Sequence, residues 1–151
     1  MNTVKDEMSR RVVYVAEDDD LTQAFASMQA LEIQHVPVVR EGRVVGILSD
    51  RDVLLHAHKR RGEIEVPHTK VRDAMITDVS VCSPTTSIGS AVDLMLDRKI
   101  HCLPVINKEG SLVGIITTTD LLKLLRDKKW SIEEPLPFLF QRPSTLLGLA
   151  A

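Results

Sequence analysis

Aromatic residues are scarce: 151 positions hold one Trp, one Tyr and three Phe. So few stacking platforms argue against a single-strand nucleic-acid binder, and they leave the core to Val, Ile, Leu and Met. A surplus of one charge is also missing. The formal net charge is −2, which gives no general attraction to nucleic acid or to an anionic membrane. Cys82 and Cys102 are the only cysteines, too few for a disulfide framework, and both read as small buried hydrophobes. No apolar run reaches the ~18 residues of a membrane span. The opening MNTVKDEMSRR has no secretory apolar core, so a cytoplasmic chain is expected.

Several chemical motifs are absent too. Without C-x-x-C or H-E-x-x-H spacing, no metal is expected. Without a G-x-x-x-x-G-K-[ST] loop, an NTPase is not expected. No G-x-S-x-G elbow occurs, and neither Ser49 nor Thr117 has a histidine at a recognisable motif spacing, so no enzyme and no catalytic cofactor are expected. The acids of EDDD (17–20) precede a helical pattern and read as caps. HAHKRR (56–61) reads as a solvated cationic helix end, since histidines two apart do not share a helix face. What remains is ordinary in bulk, with 44% hydrophobic and 26% charged residues, and suits one compact domain or two small halves sharing a core.

What the chain has in quantity is repetition. Shifted by 67 positions, VKDEM (4–8) falls on VRDAM (71–75), Met28 on Met95 and Pro37 on Pro104. After one extra residue, GRVVGILSDRDVL falls on GSLVGIITTTDLL. The insertion lies where each copy turns a hairpin, at Glu41-Gly42 and at Lys108-Glu109-Gly110. Each copy reads as a Val-rich strand (Val12–Val15; Val79–Cys82), a helix with apolar residues on one face, two strands and a final helix. The expected fold is mixed α/β, two β-α-β-β-α repeats related by a pseudo-twofold axis. The expected organisation is repeat 1 over 4–58, a charged linker over 59–70, repeat 2 over 71–126, and a proline-rich apolar tail over 127–151. Trp130, Phe138 and Phe140 in that tail suggest packing on the chain itself, on a sister subunit or on a partner.

The recurring motif has a structural explanation. Ser49 and Thr117 stand at N-caps, with Asp52 and Asp120 three residues on, a capping box worth on the order of 1 kcal/mol per helix. Two further features point to a ligand. Gly46 and Gly114 sit inside strand patterns, where a missing side chain marks close approach by another backbone or a ligand. The whole unit also recurs, so a twofold pair sets two acids and two helix N-termini around a groove. Anions suit the termini and sugar hydroxyls suit the acids.

VKDEM/VRDAM, the Ala- and Met-bearing helices, HVPVV/HCLPVI and GILSDRD/GIITTTD together resemble a tandem pair of CBS (cystathionine β-synthase) domains, a Bateman module, over about 120 of the 151 residues. That resemblance implies a disc with two clefts for adenosine-containing ligands such as AMP, ADP, ATP or S-adenosylmethionine. It implies a regulatory rather than catalytic role, a homodimer, and output through a separate protein effector. Carried over by residue, one cleft combines Ser49, Arg51 and Asp52 with Val79, Ile100, Cys102 and Leu103. The other combines Thr117, Thr119 and Asp120 with Val12, Ile33, His35 and Val36. Arg51 can grip a phosphate whereas its counterpart Thr119 cannot. The sequence therefore predicts that the Asp52 cleft favours the phosphorylated ligand. A module of the same build whose clefts bind nothing, serving only assembly, is the alternative.

Overall fold

A computed structural model describes residues 2–127. In chain order these form α1 (Val4–Glu7), β1 (Val15–Ala16), α2 (Leu21–Ala30), β2 (His35–Arg40), β3 (Arg43–Ser49), α3 (Asp50–His56), β4 (His58–Arg60) and β5 (Glu63–Glu65). Then follow α4 (Val71–Ala74), α5 (Ile88–Arg98), β6 (Cys102–Ile106), β7 (Leu112–Thr117) and α6 (Thr118–Asp127). The mixed α/β repeat pair is present. Strands β2 and β3 pair antiparallel, with β1 parallel on the other edge of β2; β6 and β7 form the equivalent hairpin. The tail around Trp130, Phe138 and Phe140 lies outside the described residues.

Local chemistry sets these elements. Asp20 accepts a hydrogen bond from the Gln23 amide to start α2, and Ser87 does the same with Ser90 for α5, each satisfying one orphan N–H of the first turn. Each helix buries a stripe, Leu21, Ala24 and Met28 in α2 and Ala91 and Met95 in α5. The β2–β3 turn holds Glu41 and Gly42 both at positive φ, 51° and 77°, a two-residue turn whose twist suits a tight hairpin. The β6–β7 connection carries one extra residue in the aligned sequence, and pairing stops earlier, leaving a loop over 107–111. There the Asn107 side chain accepts hydrogen bonds from the amides of Glu109 and Ser111, and Gly110 takes φ 82°.

The structure amends three sequence expectations. Of the strand expected over Val12–Val15, only Val15 meets a partner, and pairing continues to Ala16. The strand expected over Val79–Cys82 is reduced to one parallel bridge between Cys82 and Val105. Elsewhere these segments pair with no strand, and Val13 and Tyr14 are exposed. The connection after repeat 1 holds the fully exposed hairpin β4–β5, turned at Arg61 and Gly62, both at positive φ. Its lack of hydrophobic alternation hid it from a periodicity reading, because neither face is buried. Short helices α1 and α4, in VKDEM and VRDAM, complete the order; a single turn is too short to show a period.

Those short helices exchange places. Val4 and Met8 pack in the core with Ala91, Met95, Leu103, Val105 and Ile116. Val71, Ala74 and Met75 pack with Leu21, Met28, Val36, Val38 and Leu48. Each repeat is thus completed by the segment that opens the other. The backbone bridges come in exchange-related pairs: Thr3 to Ser87 with Lys70 to Asp20, and Ser9 to Ile115 with Ile76 to Ile47. Arg43, which bridges Ser111, meets its own counterpart, so this contact lies on the pseudo-twofold axis.

The exchange explains the strand glycines. A Cβ at Gly46 would lie 2.6 Å from the Met75 sulfur and 3.1 Å from the Ile76 carbonyl oxygen; at Gly114 it would lie 2.5 Å from the Met8 sulfur and 3.2 Å from the Ser9 carbonyl oxygen. The close approach expected from sequence is that of the exchanged segment.

Candidate ligand clefts

Both capping boxes form. The Ser49 amide and hydroxyl donate to Asp52 Oδ2 at 3.0 and 2.6 Å, and the Asp52 amide donates to Ser49 Oγ at 3.0 Å. In the second copy the Thr117 amide and hydroxyl donate to Asp120 Oδ2 at 2.9 and 2.8 Å, and the Asp120 amide donates to Thr117 Oγ1 at 3.3 Å. In each box the cap consumes Oδ2 alone. Oδ1 of Asp52 and of Asp120 makes no hydrogen bond among the described residues, and an ionised carboxylate oxygen so placed is an acceptor in search of a donor.

Each box opens onto a cleft. One, of about 400 Å³, brings Ser49, Arg51 and Asp52 together with Val79, Ile100 and Cys102. The other, of about 520 Å³, brings Thr117, Thr119 and Asp120 together with Val12, Ile33 and His35. Both volumes suit a small organic ligand. Acid and hydroxyl thus come from one repeat and the apolar wall from the other.

Leu103 and Val36 do not line the clefts. Both are fully buried in the two cores, Leu103 paired with Ile116 and Val36 with Leu48. Successive strand residues point to opposite faces, so Cys102 and His35 turn to the clefts while their neighbours turn inward.

Other cleft residues went unnoticed in the sequence. Arg11, Glu32 and Lys123 line the Asp120 cleft. Asp50, Asp78 and Lys99 line the Asp52 cleft. Glu32 and Lys99 are equivalents, each just past a helix end with φ 54°. The aligned repeats carry the signal, since Arg11 falls on Asp78 and Glu32 on Lys99, but it lies in what the copies do not share. The contrast between Arg51 and Thr119 is therefore no longer one between a cleft with a cation and a cleft without.

Gln34, His35 and His101 line both clefts. The two imidazole centroids stand 6.3 Å apart with planes tilted by 49°. Burial is the main force lowering the His35 pKa, and the nearby His101 adds to it, against opposing pulls from Asp50 and Asp52. Burial alone pushes the thiols up, Cys82 to about 11 and Cys102 to about 12, so both stay protonated and unreactive at neutral pH. Among the described residues no helix is long and apolar enough to cross a membrane.

The model of the CBS domain matches this chain twice, over residues 4–59 and 71–127. The chain is 32% identical over 123 residues to the CBS domain-containing protein YhcV of Bacillus subtilis, covering 80% of this chain and 84% of that one. It superposes on CBSX2, solved in complex with AMP, with a TM-score of 0.76, 24% identity, and coverage of 86% of this chain and all of that one. It also superposes on the CBS domain pair of protein MJ0100, solved with 5′-methylthioadenosine and S-adenosylmethionine, with a TM-score of 0.73, 22% identity, and coverage of 85% and 99%. With two matched repeats, exchanged opening helices and a capping box at each cleft, the chain belongs to the CBS domain family.

Proposed function

We propose that this protein is a non-catalytic regulatory module that binds adenosine-containing ligands in its two clefts and transmits occupancy to a protein effector. The observation that carries this reading is the unused Oδ1 of Asp52 and Asp120 in two clefts of ligand size. A ribose diol can donate to that oxygen without disturbing the cap. Val79, Ile100 and Cys102 in one cleft, and Val12 and Ile33 in the other, offer an apolar wall for the base. CBSX2 with AMP and MJ0100 with 5′-methylthioadenosine and S-adenosylmethionine support the adenosyl class. A cytoplasmic homodimer completes the proposal, with the exposed leucines Leu54, Leu55, Leu122 and Leu125 on α3 and α6 as its contact surface.

Thermal unfolding tests the ligand class. AMP, ATP or S-adenosylmethionine at 100 times its dissociation constant should stabilise the fold by about 2.7 kcal/mol. A panel of these three and adenosine that leaves the midpoint unmoved would support an assembly module with unused clefts.

A further inference from the structure

The two clefts share a backbone and a capping box but not their charges. Among the described residues, Arg11 and Lys123 stand around the Asp120 cleft, with Glu32 the one acid besides Asp120. Around the Asp52 cleft stand Arg51 and Lys99, against Asp50 and Asp78 besides Asp52. Setting aside the aspartate of each capping box, the Asp120 cleft keeps one net positive charge and the Asp52 cleft keeps none. The difference arises at equivalent positions, where Arg11 replaces Asp78, Glu32 replaces Lys99, Thr118 replaces Asp50, Lys123 replaces Leu55 and, in the opposite sense, Thr119 replaces Arg51. Asp78 is exposed and stands 3.8 Å from Arg98, so solvent weakens its effect on Arg98 and on a ligand alike, whereas Asp50 is half-buried. Gln34, His35 and His101 face both clefts and cannot discriminate between them.

We infer that the clefts sort adenosyl ligands by the charge on the 5′ substituent: the Asp120 cleft takes a 5′-phosphorylated nucleoside, and the Asp52 cleft takes one whose 5′ group is neutral or cationic. This rests on the adenosyl reading above and reverses the expectation drawn from Arg51. A phosphate entering the Asp120 cleft finds two cations and only one competing carboxylate besides Asp120. In the Asp52 cleft the same phosphate meets Arg51 and Lys99 but also Asp50 and, screened by solvent, Asp78, while a sulfonium or ammonium group finds these acids as partners. Like charge against like charge is the stronger discriminator, because it excludes the wrong ligand rather than merely favouring the right one.

Calorimetry on single-cleft variants tests this. Asp52→Asn leaves only the Asp120 cleft competent, and Asp120→Asn leaves only the Asp52 cleft; asparagine is nearly isosteric and keeps the cap oxygen. With Asp52→Asn, AMP should bind about tenfold tighter than adenosine, the size of one charge-assisted hydrogen bond, and the preference should fade as salt is raised. Adding Arg11→Ala, an exposed position, should remove the preference while sparing adenosine. With Asp120→Asn, AMP should bind no tighter than adenosine, and S-adenosylmethionine at least as tightly as AMP. Equal AMP preference in both variants, or a larger one with Asp120→Asn, overturns the sorting while leaving the adenosyl reading intact. Failure of adenosine, AMP and S-adenosylmethionine to bind wild-type protein overturns both.

Discussion

The Asp52 and Asp120 clefts are built by the same backbone, capped by the same hydrogen bonds and walled by the opposite repeat, yet their borders carry different charges. What the copies share is what the fold demands. The cap serves a helix end, the strand glycine seats a methionine, and the buried aliphatic pairs fill two cores. Where the copies differ, as at Arg11 and Asp78 or Glu32 and Lys99, no folding requirement fixes the residue, because these side chains border solvent-open clefts. Differences at such positions give one module two clefts of differing charge without disturbing either core.

The comparison can be broken most forcefully in the cores. Leu103→Ala should cost about 2–5 kcal/mol in urea unfolding, since the side chain is fully buried and its removal leaves a cavity. The folded fraction should still bind adenosine with unchanged affinity, because Leu103 faces the core and Cys102 the cleft. Loss of affinity at small cost in stability would place Leu103 at the ligand instead.

The glycines sharpen the comparison at a lower cost. Gly46→Ala and Gly114→Ala each set a Cβ against a methionine sulfur and a backbone carbonyl, and each should lose about 1–3 kcal/mol. The two losses should be alike, since the exchanged segments seat in the same way. Truncating the opposing methionine, Met75→Ala or Met8→Ala, should recover part of the cost only in its own pair. Recovery across pairs would contradict the exchange.

The smallest effect concerns the histidines between the clefts. Burial lowers the His35 pKa, so on acidification the unfolded chain takes up its proton first. The stability that His35 confers is complete above the ordinary value of 6.5 and is lost as pH falls below it. His35→Gln should therefore show a shallower decline in urea midpoint between pH 7 and about 5. An unchanged slope would remove His35 as the titrating group.

Much of this was legible in the sequence because duplication doubles each signal. The hairpin turns, the capping boxes and the α2 and α5 stripes were read from spacing that recurs at 67 or 68 positions. Six residues of each cleft came together as two sets of three from opposite repeats, but their partners Leu103 and Val36 did not. A run such as HVPVV or CLPVI is apolar throughout, so period-two alternation cannot tell its cleft face from its core face. The exchange of α1 and α4 was illegible for a different reason. Packing partners are set by where the chain turns back, and nothing local in VKDEM records which core Val4 enters. The cleft cations Arg11 and Lys123 lay in plain view but outside the conserved pattern of the two copies.

Calorimetric stoichiometry of adenosine tests most directly the claim that each repeat lends one carboxylate oxygen to a cleft walled by the other. Wild-type protein should bind two molecules per chain. Asp52→Asn and Asp120→Asn should each bind one, since asparagine keeps the cap oxygen but turns a donor toward the ribose. The double variant should bind none. Two sites of unaltered affinity surviving in either single variant would show that the capping-box aspartates serve the helices alone.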